Sequence, residues 1–306
     1  PMETAESIET SKIYSVAGLR ASAFGLMRER PFRAPHYSAS MAAIIGGGNG
    51  ENILPGEVSL AENGILFLDE FAQMPRSITE ALRGPIEDRR VVISRLRSKV
   101  EFPASFMLVA ASNPCPCGYY GVKGRCSCTP SQRQSYMSRL SGPIMDRIDI
   151  QLTMRPVPPE SMVLRQKAVR PCASGMEKSR EGNATETSSE IAARVLAARK
   201  IQESRFEGLG IHVNAEMSGD MLARFCPLSD ECAELMERMS TQLGLSARAF
   251  SRVLKIARTI ADIDKAVIMI SGGSKSSSDD SGAASRILPR HILEAFSYRF
   301  LDRLVR

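Results

Sequence analysis

Two short, unbroken apolar runs constrain this chain more than any other feature: Gly64-Ile-Leu-Phe-Leu68 and Phe106-Met-Leu-Val-Ala-Ala111. Each has the length of a strand. The first stops at Asp69-Glu70 and the second at Ser112-Asn113-Pro114. Strands that are apolar throughout, rather than alternating, belong to parallel sheets covered on both faces by helices. An α/β core is therefore expected, with polar residues at the carboxyl ends of its strands, where such sheets bind ligands.

Other segments fill in around that core. Residues 1–30 read as helical, with Ile8, Ile13 and Val16 spaced for one face. Residues 31–63, including Gly46-Gly47-Gly48-Asn49-Gly50, are punctuated for loops and short strands. Pro75 to Leu82 opens a helix. Arg90 to Phe102 alternates as a hairpin, with Val91 and Ile93 on one arm, Val100 and Phe102 on the other, and Arg95, Arg97 and Lys99 between. A last short strand is expected at Ile150–Met154. The 306 residues suit two domains. The expected division is a core at 1–155, a partly mobile linker at 156–190, and an all-α domain at 191–306 interrupted by a disordered insertion at 271–285.

Forty Lys and Arg against 34 Asp and Glu give a net charge of +6, compatible with a polyanionic partner or with a generally basic protein. No run of eighteen apolar residues occurs, so no membrane span is expected. The opening PMETAESIET is too polar for a signal peptide, and a cytoplasmic location is the expectation. Four of the seven cysteines fall close together, as Cys115, Cys117, Cys126 and Cys128. An odd count without an export signal disfavours disulfides. Four thiolates suit tetrahedral zinc in a structural role, and four reduced loop cysteines are the alternative. His36, His212 and His291 lie in unrelated contexts and suggest no catalytic histidine.

Each chemical motif has a bland alternative. Asp69 at a strand end can hold magnesium and Glu70 can deprotonate an attacking water, or both can be solvated acids. Asn113 can hold that water or a terminal phosphate, or simply make an Asn-Pro turn. Arg147 in MDRID can reach a neighbouring subunit's phosphate, or pair with Asp146 or Asp149. Arg95, Arg97 and Lys99 can be a solvated hairpin tip.

Taken together, GEVSLAENGILFLDEFAQM, ALRGPIEDRRVVISRLRSKVEFPASFMLVAASNPCPCGYY and RLSGPIMDRIDI resemble the magnesium-chelatase-like AAA+ ATPases of the ComM/YifB family. They are more distantly similar to MCM helicases and to the magnesium chelatase ATPase subunit. The upstream IYSVAGL and RPFRAPHYSAS, and the downstream LSARAFSRVLKIARTIADI and HILEAFSYRFLDR, fit the same family, so the likeness covers nearly the whole chain. It implies an AAA+ core followed by a helical lid, binding ATP and Mg2+ in a hexameric ring. Asp69 and Glu70 would be the Walker B pair and Asn113 sensor 1. Arg147 would be the arginine finger acting in trans, and Arg248 the lid's sensor 2, with Arg252 as fallback. Arg95, Arg97 and Lys99 would be a hairpin touching DNA. The implied work is DNA translocation, including branch migration in recombination or transformation.

One departure stands out, because no G-x-x-x-x-G-K-[ST] occurs anywhere in the chain. The expectation is a C-terminal portion lacking its phosphate loop and inactive alone. The rival readings are an ATPase driving metal insertion into a tetrapyrrole, and a zinc-stapled binding module that is not an enzyme.

Overall fold

The computed structural model describes residues 2–19, 25–49, 52–94, 99–122, 124–140, 142–154, 186–271 and 286–299. The chain divides into two compact units between Ile148 and Asp149. The expected linker and insertion fall largely on 155–185 and 272–285, outside the described residues, as do Arg95 and Arg97.

The first unit opens with α1 (Thr4–Val16), β1 (Phe32–Arg33), α2 (Met41–Ile45), β2 (Gly46–Asn49), β3 (Asn52–Pro55), α3 (Glu57–Leu60) and β4 (Ile65–Leu68). It continues with a 3-10 turn at Phe71–Gln73, α4 (Arg76–Ala81), α5 (Arg83–Asp88), β5 (Arg90–Ser94), β6 (Lys99–Pro103), β7 (Met107–Ala110), α6 (Pro130–Met137) and α7 (Gly142–Met145). Both apolar runs are strands, and β1, β4 and β7 form a parallel sheet in that order. Leu66 and Leu68 are fully buried, as are Ile44, Val58 and Leu82 elsewhere in this unit. Burying such side chains contributes roughly 1.5–3 kcal/mol each before entropy is subtracted.

The expectation of a sheet buried on both faces fails at β7. Met107 is 59% exposed and Val109 38%, because β7 is an edge strand whose other side pairs with no strand among the described residues. The expected strand at Ile150–Met154 is likewise absent. There the Gln151 N–H donates to the Tyr298 carbonyl, and Ile150, Leu152 and Met154 stay exposed. Helix α1 forms, but its buried side carries Ser7, Thr10 and Ile13, while Ile8 and Val16 face solvent. The small hydroxyls find backbone partners: Ser7 donates to the Met27 carbonyl and Thr10 to that of Glu62.

The expected hairpin at 90–102 is present, with Val91 opposite Phe102 and Ile93 opposite Val100. The glycine run is also a hairpin arm. A Cβ at Gly48 would lie 1.7 Å from the Asn52 carbonyl oxygen, so only glycine allows β2 and β3 to approach this closely.

The second unit is helical: α8 (Ser188–Arg205), a 3-10 turn at Asn214–Glu216, α9 (Gly219–Phe225), α10 (Asp230–Leu243), α11 (Ala247–Ile270) and α12 (Pro289–Ser297). Thr187, Ser229 and Ser246 cap helix starts by accepting backbone N–H groups, and Gly244 ends α10 in the left-handed region. Val253, Ala257 and Ile260 of α11 pack with Met236, Ile292, Phe296 and Phe206. Beside them the fully buried Asp262 accepts hydrogen bonds from Arg205, Arg258 (2.9 Å) and Asn214 (2.8 Å).

Candidate functional site

The carboxyl edge of the sheet gathers three of the expected residues. Strands β4 and β7 are adjacent and parallel, with Leu68 opposite Ala110. The pairing continues past the strands, as the Ala111 N–H donates to the Leu68 carbonyl and the Phe71 N–H to that of Ala111, both at 2.9 Å. Asp69-Glu70 and Asn113 therefore leave neighbouring strands on one side of the sheet. Asp69 and Asn113 are exposed. Glu70 sits in the left-handed region at φ 51°, ψ 39°, and its N–H donates to Asp69 Oδ1 at 2.8 Å. A non-glycine residue pays for that backbone with strain, which concentrates at functional turns. Behind the turn, buried Phe71, Ala72 and Met74 anchor it to the core. The result is a pair of acids with water access at the end of β4, the Asp69 carboxylate held by the Glu70 N–H, and Asn113 beyond the end of the neighbouring strand. Exposed carboxylate oxygens of this kind fit a hard cation such as Mg2+.

Arg147 follows α7. Its Nη1 donates to the Pro143 carbonyl at 2.7 Å, Nη2 forms an ion pair with Glu87 on α5, and the side chain is only 10% exposed. Glu87, sixty residues earlier, is a partner of Arg147 beyond the Asp146 and Asp149 weighed from sequence. Asp149 pairs instead with Arg252, within the second unit. Arg248 is exposed in the first turn of α11. Lys99 is exposed at the start of β6.

Beyond Asn113 the chain enters the cysteine loop. Cys115, Cys117, Cys126 and Cys128 bring their sulfurs within 4.8 Å of one another. Sulfur separations are 3.4 Å for Cys115–Cys117, 3.7 Å for Cys117–Cys126 and 3.9 Å for Cys115–Cys126. A tetrahedral ion with bonds of about 2.3 Å requires sulfurs about 3.8 Å apart, and a disulfide would need about 2.05 Å. The four thiols therefore have the spacing of a metal cage, and the cluster could hold a metal. Turns through Gly118, Gly121 and Gly124, all at positive φ, fold the loop back to close it. The Tyr119 N–H bonds the Cys117 sulfur, and the other three thiols add to it, lowering the Cys117 pKa to about 6. Although the Cys117 N–H favours a Cys128 thiolate, the hydrogen bond from the Cys117 sulfur and burial prevail and push the Cys128 pKa up to about 11. Thiols this close cannot all ionise together without a cation among them.

Sequence reasoning missed Glu87 as the partner of Arg147, for no local signal links residues sixty apart. It also missed Glu62. This side chain is 3% exposed, bonds the Ser105 N–H, and is raised to about pKa 7, first by burial and then by Glu9, against the pull of Ser105 and Arg89. An acid just before an apolar strand gives no sign that it will be buried.

A parallel sheet with acids and an amide at its carboxyl edge, together with a helical second unit, is consistent with an AAA+-like fold. Comparison with known proteins agrees. Residues 1–162 match the family model for magnesium chelatase, subunit ChlI, and residues 185–270 match that for its C-terminal part. The chain is 41% identical over 301 residues to the uncharacterized protein YifB of Escherichia coli, covering 98% of this chain and 51% of YifB. It is 37% identical over 305 residues to the competence protein ComM of Haemophilus influenzae, covering 99% of this chain and 52% of ComM. Over 95 residues it is 32% identical to the DNA replication licensing factor Mcm6 of Drosophila melanogaster, covering 31% of this chain and 10% of Mcm6. The chain belongs to the magnesium-chelatase-like family of ComM and YifB, and it spans about half the length of those relatives.

Proposed function

We propose that this chain is part of an AAA+ ATPase that couples ATP hydrolysis to movement along DNA, including branch migration during recombination or transformation. The observation that carries this reading is the convergence of Asp69, Glu70 and Asn113 at one end of two paired parallel strands. Bound magnesium would neutralise charge on the β- and γ-phosphates. Asp69 holds it, Glu70 orients the attacking water and takes its proton, and Asn113 hydrogen-bonds that water or the terminal phosphate. Arg147 serves the neighbouring subunit of a hexameric ring, for which it must leave Glu87, and Arg248 contributes from the helical unit. Arg95, Arg97 and Lys99 meet the DNA backbone. The cysteine cage holds a structural zinc, closed to catalysis because four protein ligands leave no open position. The likeness to ComM, a competence protein, and to Mcm6, a DNA replication licensing factor, favours DNA over a tetrapyrrole as the partner.

The 306 residues contain no phosphate-loop lysine, so this chain is expected to bind ATP weakly. Hydrolysis is therefore measured in the complete protein, with and without DNA. Removing a general base typically costs ~10²–10⁴-fold, and Glu70→Gln should slow turnover by about that factor while nucleotide binding persists. Hydrolysis by Glu70→Gln at the parent rate, or indifference of the parent to DNA, would sink the reading.

A further inference from the structure

From Phe102 to Met145 the chain contains no Asp or Glu, yet it carries Lys123, Arg125, Arg133 and Arg139. Nowhere else does so long a stretch lack acids in a chain with 34 of them. The cysteine loop lies in the middle of this stretch and exposes two consecutive aromatic rings, Tyr119 (47% exposed) and Tyr120 (54%). Each is met by a guanidinium. Arg125 lies 5.7 Å from the Tyr119 ring centroid, and Arg133 lies 4.7 Å from that of Tyr120. Arg133 is held in place by donating to the Cys128 carbonyl at 2.9 Å, so the loop that gathers the thiols also fixes this pair. Backbone bonds from Val122 to the Tyr119 carbonyl (3.0 Å) and from Arg125 to the Val122 carbonyl (3.2 Å) lock the turn that presents them.

Tyr119, Tyr120 and their arginines offer flat π and guanidinium surfaces beside fixed positive charge. Unpaired bases stack on such surfaces with little sequence preference, and their phosphates take the remaining N–H groups. A duplex hides its base faces and gains only the charge. The positive balance survives even after the net negative charge of a tetrathiolate–zinc centre is counted.

We infer that the cysteine loop is a contact surface for single-stranded nucleic acid, with Tyr119 and Tyr120 as base-stacking platforms and Arg125 and Arg133 as their cationic partners. Its residues are distinct in sequence from Arg95, Arg97 and Lys99, to which the proposed function gives the DNA backbone. It shares with the proposed function only the nature of the partner.

The test titrates the 306-residue chain into labelled oligothymidylate and oligouridylate of about 20 nucleotides, and into a duplex of equal length, followed by fluorescence anisotropy. Stacking on one aromatic is worth roughly 1–3 kcal/mol per base, or about 5- to 150-fold in affinity. Tyr119→Leu and Tyr120→Leu should each weaken single-strand binding at least about fivefold, while Tyr→Phe at either position retains it. Duplex binding should be unmoved by all four changes. The loss should appear in the salt-independent part of the affinity, because no phosphate contact is removed. Preference for thymidylate or for uridylate assigns the strand as DNA or RNA, and either supports the inference. Metal content and thermal midpoint of the Leu variants, if equal to the parent's, exclude an unfolded loop; if they fall, the Phe variants alone decide, by retaining or losing affinity. Three outcomes overturn the inference: a Leu double variant that binds within about twofold of the parent, equal weakening by Leu and Phe, or a parent that ignores single strands. Affinity that resists the tyrosine changes but falls with Lys99→Ala would refute this surface and leave the proposed function standing.

Discussion

At the scale of single residues, Glu62 is a buried acid whose protonation is tied to the fold. It is buried between α1 and the start of β7, where its carboxylate accepts the Ser105 N–H, and its pKa rises from 4.5 to about 7. An acid raised in the folded state binds its proton more tightly there than in the unfolded chain. Its contribution is complete below about pH 4.5 and is lost as pH climbs through about 7. A shift of that size corresponds to a few kcal/mol, at ~1.4 kcal/mol per pH unit. Glu62→Gln keeps an acceptor for Ser105 and removes the charge. Relative to the parent it should gain stability between pH 5 and pH 8, read as a growing difference in urea midpoint. A difference that stays flat with pH would show that Glu62 is not protonated in the fold. Asp69 and Glu70 were legible in the sequence because their place at a strand end follows from the apolar run before them. The partner of Arg147 was not, since ion pairs between distant segments depend on packing that no local pattern records.

At the scale of elements, the cysteine loop makes the sharpest claim. The protein purified under reducing conditions should carry about one zinc per chain, and Cys115→Ser should release it, because the buried Cys115 sulfur touches two of the other three. Metal analysis finding less than about a fifth of an equivalent in the parent would remove the cage. The hairpin at 90–102 and the β4 and β7 strands were readable from alternation and from unbroken apolar runs. The inward face of α1 was not, because Ser7 and Thr10 are buried through hydrogen bonds to neighbouring carbonyls and not through hydrophobicity. Ile150–Met154 has the composition of a strand, but no strand pairs with it among the described residues, and composition cannot supply a neighbour.

At the scale of the whole molecule, the side of β7 that pairs with no strand among the described residues should govern behaviour in solution. A short apolar edge strand with Met107 and Val109 exposed is a template for pairing with another chain. The 306-residue chain should therefore associate as its concentration rises, and Val109→Lys should suppress this, since edge lysines oppose strand addition. Light scattering would show it, and a clean monomer at high concentration in the parent would refute it. Between β7 and the sulfur cage lie only four residues, Ala111 to Pro114. Asn113 is joined to Cys115 through Pro114 alone, and proline's ring removes one of the few torsions that could absorb movement. A change at the first thiol, by oxidation or by loss of an ion, therefore arises two residues from the amide at the sheet's end, and the state of the sulfurs should be felt at Asn113.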